Sequence, residues 1–154
     1  MKTIITESER DTQKLGERLG KNLKAGDILA LVGELGSGKT VLVKGIAQGL
    51  GIPSSLINSP SFVLIREYPS SLNLYHFDLY RLKDPREIES LGWEEYRDKR
   101  GVLVIEWADR MEKLLPDEYL YIGIEILDEK RRKINLIPKG EKYKKLISKV
   151  WKRR

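Results

Sequence analysis

Gly33-Glu34-Leu35-Gly36-Ser37-Gly38-Lys39-Thr40 fills every fixed position of the pattern G-x-x-x-x-G-K-[ST]. The glycines let the backbone turn tightly and take positive φ. That aims successive N–H groups at an anion just ahead of a helix N-terminus. Lys39 brings a mobile positive charge for β- and γ-phosphates, and the Thr40 hydroxyl can ligate Mg²⁺. The competing reading is a glycine-rich turn that happens to precede a lysine. The flanks decide against it: Asp27–Val32 (D-I-L-A-L-V) reads as a buried strand and Lys39–Leu50 as a helix. Strand, loop and helix are the context the motif requires.

Upstream of the loop, Lys2–Ile5 reads as a short strand. Ser8 or Asp11 caps a helix running to about Leu23, with Leu15, Leu19 and Leu23 on one stripe. Gly16 and Gly20, four apart, allow close packing on a neighbour. Downstream, Gly49, Gly51 and Pro53 end the loop's helix. Ser61–Tyr68 and Leu72–Leu79 flank Pro69-Ser70-Ser71 and read as a hairpin. Asp84-Pro85 opens a short helix ending near Gly92, and Trp93–Lys99 reads as another helical turn. Val102-Leu103-Val104-Ile105 is an apolar run closed by Glu106, the pattern of a central parallel strand. A short helix is expected over about Asp109–Leu115. Tyr119–Leu127 and Lys133–Ile137 read as a second hairpin. Tyr143, Leu146, Ile147, Val150 and Trp151 then fall at the i, i+3, i+4, i+7, i+8 spacing of an amphipathic helix. The organisation expected is a single nucleotide-binding domain over residues 1–138, followed by a basic helix over 139–154 docked on it.

The 154 residues suffice for one domain with a proper core. At 40% hydrophobic and 34% charged, the composition is that of a soluble globular protein. No apolar run approaches the roughly 20 residues of a membrane span, so no membrane partner is expected. The first residues are too polar for a signal peptide. Without cysteine, disulfides, thiol catalysis and Cys-ligated zinc are excluded. A cytoplasmic location is the default expectation. Charge is unevenly spread: residues 130–154 hold 12 Lys and Arg against the single acid Glu141, a net of +11, which leaves −5 for residues 1–129 out of a total of +6. A basic end of this kind suits nucleic acid or an acidic partner. Its bland reading is a solvated helix face.

A phosphate loop needs a second carboxylate for its metal, at the carboxyl end of a neighbouring parallel strand. Glu106 is the natural candidate. In His76-Phe77-Asp78-Leu79-Tyr80-Arg81, alternation puts His76, Asp78 and Tyr80 on one face. An Asp between large hydrophobics needs a partner, a metal or a task. Two readings stay open for Asp78: a site carboxylate, or a structural acid paired with Arg81 or His76. His76 reads as a hydrogen-bonded structural residue rather than a base. Ser59-Pro60-Ser61 stands where phosphate-sensing switches often lie, although the residues alone say only loop-to-strand turn.

G-E-L-G-S-G-K-T, S-P-S-F, H-F-D-L-Y-R and I-E-W, in that order, resemble the bacterial TsaE (YjeE) family over about residues 4–137. The Walker motif is widely shared; H-F-D-L-Y-R combined with I-E-W is far more specific. The resemblance implies an α/β fold: a P-loop parallel core sheet flanked by antiparallel strands, with helices on both faces. It implies a Mg²⁺-dependent ATPase, weak alone and raised by partners. Such proteins serve threonylcarbamoyladenosine formation in tRNA together with a TsaD–TsaB pair, with tRNA itself a possible, indirect partner. By position, Gly33–Thr40 bind ATP, with Lys39 on the phosphates, and Thr40 and Glu106 serve the magnesium. Asp78 serves hydrolysis or organises metal and water. Ser59, Pro60 and Ser61 form the switch loop, with Ser61 where threonine is usual. Trp107 packs by the nucleotide, and Arg132 corresponds to a hairpin arginine that approaches it. His76, Tyr80 and Arg81 support the cluster.

Three other classes compete. A small-molecule kinase needs an Arg-rich lid, which residues 84–116 lack. A GTPase needs N-K-x-D, which is absent. A nucleotide sensor that does not hydrolyse keeps Lys39 and Thr40 but needs no placed Asp78.

Overall fold

The computed structural model describes residues 1–58 and 64–151. Among these residues seven strands form one sheet: β1 (Lys2–Thr6), β2 (Ile28–Gly33), β3 (Ile65–Tyr68), β4 (Leu74–Asp78), β5 (Val102–Glu106), β6 (Tyr119–Ile126) and β7 (Arg132–Lys139). Their order is β1-β7-β6-β2-β5-β4-β3. The four inner strands β6, β2, β5 and β4 run parallel to one another. Antiparallel pairs close both sides, β3 on β4 and β7 on β6, with β1 on β7. The two hairpins expected from sequence are therefore the flanks of a parallel core.

Strand parity sorts the side chains. Leu29 and Leu31 of β2, Val102 and Val104 of β5, and Leu120 and Ile122 of β6 face one layer of helices. That layer is α1 (Glu9–Lys21), α2 (Lys39–Gly49) and α5 (Glu141–Val150). Ile28, Ala30, Phe77, Leu103 and Ile105 face the other side, toward α3 (Arg86–Ser90), α4 (Trp93–Asp98) and a 3₁₀ segment, Ala108–Leu114. β5 is buried along its whole length because both of its faces are covered.

Ser8 caps α1: its side chain accepts from the Asp11 N–H at 3.1 Å. Gly16 and Gly20 of α1 meet Gly45 and Gly49 of α2 backbone to backbone. A Cβ on Gly45 would run into the Gln13 carbonyl, and one on Gly20 into the Ile46 carbonyl. Only glycine permits that approach, and it brings α2 down beside α1. In an exposed helix, Gly→Ala gains about 1 kcal/mol of propensity. Here the sign reverses. Gly45→Ala is expected to destabilise by about 1–3 kcal/mol through overpacking, lowering the thermal midpoint by several degrees. A raised midpoint would show that the helices can separate freely.

α5 buries Tyr143, Leu146 and Val150 in the core under α1. The Ile28 N–H donates to the Tyr143 hydroxyl at 2.8 Å. Burial pushes the Tyr143 phenol up to about 12. The last helix is thus fastened to the start of the strand that feeds the phosphate loop.

The short helix expected over about Asp109–Leu115 is the 3₁₀ segment, interrupted at Met111 (φ −125°, ψ 24°). Trp107 before it sits in the left-handed region at φ 60°. No helix of the described residues is long and apolar enough to cross a membrane.

Candidate functional site

β2 ends at Gly33, and α2 starts at Lys39 above the carboxyl ends of the parallel strands. Gly36 (φ 80°) and Gly38 (φ 106°) occupy the left-handed backbone region, and a Cβ on either would meet nothing within 4 Å. Both glycines therefore answer to backbone conformation and not to crowding. Gly33 has a different constraint: a Cβ there would sit 2.6 Å from Ser37 Oγ and 2.8 Å from the Ile124 carbonyl.

Lys39 is nearly fully buried. Its ammonium donates to the Gly33 carbonyl at 2.5 Å and the Glu34 carbonyl at 2.9 Å, with Ser37 Oγ at 3.4 Å. It lies 4.1 Å from the centre of the Trp107 ring. Burial pulls the ammonium below the ordinary lysine range, and the charges of Glu106, Asp78 and Asp109 oppose that shift. Three carboxylates thus help keep charged the group that would meet phosphate.

Thr40 is one residue further along α2. Its hydroxyl donates to Glu106 Oε1 at 3.1 Å. The register explains the meeting. β5 is the parallel neighbour of β2, with Glu106 opposite Leu31. Glu106 has the parity of Val102 and Val104, which face α2. Asp78 pairs in register with Glu106 across β4 and β5. Its Oδ1 accepts from the Tyr80 N–H at 3.1 Å, and its own N–H donates to the Leu64 carbonyl at 2.9 Å.

These groups open onto a cleft of about 820 Å³, lined by residues of the loop together with Asp78, Tyr80, Arg81, Glu106, Trp107 and Arg132. That size suits a small-molecule ligand. Tyr80 and Trp107 pack with ring centres 5.1 Å apart, and the Arg110 guanidinium lies 5.3 Å from the Trp107 ring. Gly33 and Glu34 stand behind the wall and meet Lys39 through their carbonyls. Arg132 reaches in from β7: Nε donates to the Ser37 carbonyl at 2.9 Å, and another guanidinium nitrogen to the Gly36 carbonyl at 3.3 Å. It braces the loop from the cleft wall. The expected switch residues Ser59, Pro60 and Ser61 lie outside the described residues.

The donor set fits magnesium held jointly with a nucleotide. Thr40, Glu106 and Asp78 offer hard oxygen atoms. Among the described residues no group of three or more His, Cys, Asp or Glu could hold a metal alone. Magnesium bound through one or two carboxylates plus substrate phosphates needs no such cage.

A model of the family described as "Threonylcarbamoyl adenosine biosynthesis protein TsaE" matches residues 6–134. The chain belongs to the TsaE family. A TsaE protein of Bacillus subtilis (strain 168), named for tRNA threonylcarbamoyladenosine biosynthesis, is 40% identical over 146 residues, covering 94% of this chain and 90% of the relative. One from Aquifex aeolicus is 38% identical over 141 residues, covering 90% and 98%. The crystal structure of Bacillus subtilis YdiB superposes with a TM-score of 0.82 at 34% identity, covering 97% of this chain and 93% of that one. The span matched by the TsaE model takes in the loop, Asp78, Glu106 and Arg132, and stops before α5.

One contact in this TsaE chain was not legible in the sequence. His76 is fully buried on β4, and its Nε2 lies 2.5 Å from Glu106 Oε2. Among the described residues Nδ1 has no partner, and Nε2 faces a carboxylate oxygen, an acceptor for an N–H donor. Glu106 is thereby held between His76 and Thr40. The acid that His76 serves is Glu106, not Asp78. His76→Leu leaves the buried carboxylate one bond short, which costs about 1–3 kcal/mol. A lower thermal midpoint in the absence of nucleotide is the expected reading. An unchanged midpoint would show that the pair contributes nothing.

Proposed function

We propose that this chain is a magnesium-dependent ATPase that serves tRNA threonylcarbamoyladenosine biosynthesis in the cytoplasm, working with proteins of the TsaD and TsaB type. The observation that carries the reading is convergence. Lys39 and Thr40 from the loop, Asp78 from β4 and Glu106 from β5 meet at one cleft. A phosphate loop alone explains binding; two carboxylates delivered beside it suit hydrolysis.

The chain's residues divide the work. The N–H groups of the loop and the start of α2 hold phosphate oxygens. The Lys39 ammonium turns from the Gly33 and Glu34 carbonyls to the β- and γ-phosphates, where its charge is worth most in the buried site. Thr40 and Glu106 would hold magnesium, with His76 fixing the carboxylate. Bound there, magnesium supplies Lewis-acid neutralisation of charge developing on the phosphates. Asp78, oriented by the Tyr80 N–H, positions the attacking water by accepting its hydrogen bond. Trp107 and Tyr80 wall the cleft against bulk water. Arg132 keeps the loop in register by holding the carbonyls of Gly36 and Ser37.

Calorimetric titration with ATP, with and without Mg²⁺, tests the reading. Binding that tightens with magnesium is expected. Heats that show no ATP binding under either condition would overturn it.

A further inference from the structure

The strongest charge feature lies away from the nucleotide cleft. β2 separates its own start from the phosphate loop by six residues, about 20 Å at strand rise. At that far end the turn between α1 and β2 carries Lys24, and α5 packs beside it. Lys145 and Lys149 project outward from α5, one turn apart. Around the end of α5, Trp151 is flanked by two cations: Lys2 Nζ lies 5.7 Å from its ring centre and the Arg18 guanidinium 5.2 Å. Arg18 also donates to the Val150 carbonyl at 2.5 Å. The sequence adds Lys152, Arg153 and Arg154 directly after Trp151.

This cluster is not neutralised locally. Nearby ion pairs use other cations: Lys21 with Glu17, Lys142 with Asp27, Lys144 with Glu141. Among the described residues Lys2, Arg18, Lys24, Lys145 and Lys149 make no ion pair with an acid. The Lys24 side chain beside Lys149, and Lys145 after it, hold the Lys149 ammonium below the ordinary lysine range. Like charges therefore lie close together on this face.

We infer that the face formed by α5, the α1–β2 turn and Arg18 binds the phosphate backbone of a folded RNA stem. The face is cationic but not apolar. None of the exposed large hydrophobics lies on α5 or on the α1–β2 turn; Met1, next to Lys2 in the chain, stands at the margin. A protein partner needs a buried apolar or aromatic centre, which is missing. Single-stranded bases need exposed rings to stack on, also missing, and Trp151 is already flanked by cations. A membrane helix would insert its apolar face, but Tyr143, Leu146 and Val150 of α5 are buried in the core. A regular line of phosphates matches what remains. The choice of RNA among polyanions rests on the tRNA reading above.

The test is fluorescence anisotropy of the full chain with a fluorescein-labelled RNA stem-loop, across KCl concentrations. Five cations on phosphates predict a log–log salt slope near −4.5, or roughly a 500-fold weakening between about 50 and 200 mM salt. The double variant Lys145→Glu/Lys149→Glu is expected to lose at least 10-fold in affinity and to flatten the slope by about 2. Its melting midpoint and ATP titration should match the parent, because both positions are exposed on α5 and neither lines the cleft. Parallel titrations use a polyglutamate peptide and phosphatidylserine vesicles. The inference is overturned if RNA fails to bind at low salt, if the double variant binds RNA like the parent, or if polyglutamate or vesicles bind as tightly as RNA. Failure of RNA binding with intact ATP binding removes this inference alone; failure of ATP binding removes the ATPase reading and leaves the stripe to stand on the RNA result.

Discussion

Lys39→Ala is expected to lower ATP affinity by about 100-fold or more. The ammonium makes charge-assisted contacts, each worth about 1.5–3 kcal/mol, and 1.4 kcal/mol is tenfold in affinity. The structure adds a second reason. Lys39 draws together the Gly33 and Glu34 carbonyls and Ser37 Oγ, so alanine also loosens the loop that presents the N–H groups. Lys39 counters the charges of Glu106 and Asp78 as well. Without it two carboxylates near the site repel a triphosphate with less opposition. Calorimetry reads the loss, and an affinity equal to the parent's would contradict the phosphate-loop assignment. Circular dichroism of the variant should remain that of the parent, since the sheet and α2 do not depend on this side chain for burial.

Asp78→Asn is expected to leave ATP binding within a few-fold of the parent and to slow hydrolysis by about 10²-fold or more, the scale of losing one positioned polar group. The substitution preserves volume and an oxygen for the Tyr80 N–H, so the end of β4 should stay intact. What changes is charge and acceptor strength at the cleft wall. The result also separates an ATPase from a nucleotide sensor. A sensor keeps Lys39 and Thr40 and has no use for Asp78 in turnover, so equal single-turnover rates in parent and variant would assign Asp78 to structure. A Tyr80→Phe control leaves the Asp78–Tyr80 bond in place, because that bond uses the backbone N–H.

Much of this arrangement was legible in the sequence because it rests on local rules. The loop's glycines, the apolar run ending at Glu106 and the alternation in the two hairpins are each set by a few adjacent residues. They give a phosphate loop, a central strand and two hairpins; the resemblance to the TsaE family implies their assembly into a parallel core with antiparallel flanks, as found. What stayed hidden depends on strand order. Alternation puts His76 and Asp78 on one face of their own strand, but only the pairing of β4 with β5 shows that His76 reaches Glu106. Arg132 reads from sequence as approaching the nucleotide, and it does line the cleft; hidden until β6 and β7 lay beside β2 was that its guanidinium also holds two loop carbonyls. The glycines of α1 suggested a close neighbour, but the matching pair Gly45 and Gly49 became meaningful only once α2 lay across them. The short helix after Trp107 was legible but not its 3₁₀ form, and the left-handed backbone at Trp107 leaves no trace in residue type.

The central claim is that carboxylates on two neighbouring strands turn a phosphate-binding loop into a partner-gated ATPase site. Steady-state phosphate release in Mg²⁺ and ATP, by the chain alone and with TsaD- and TsaB-type proteins, tests it most directly. The account predicts slow release alone, a clear rise with both partners, and none of that rise with Asp78→Asn. Release that is absent in every combination, or unchanged by the partners and by Asp78→Asn, would contradict it.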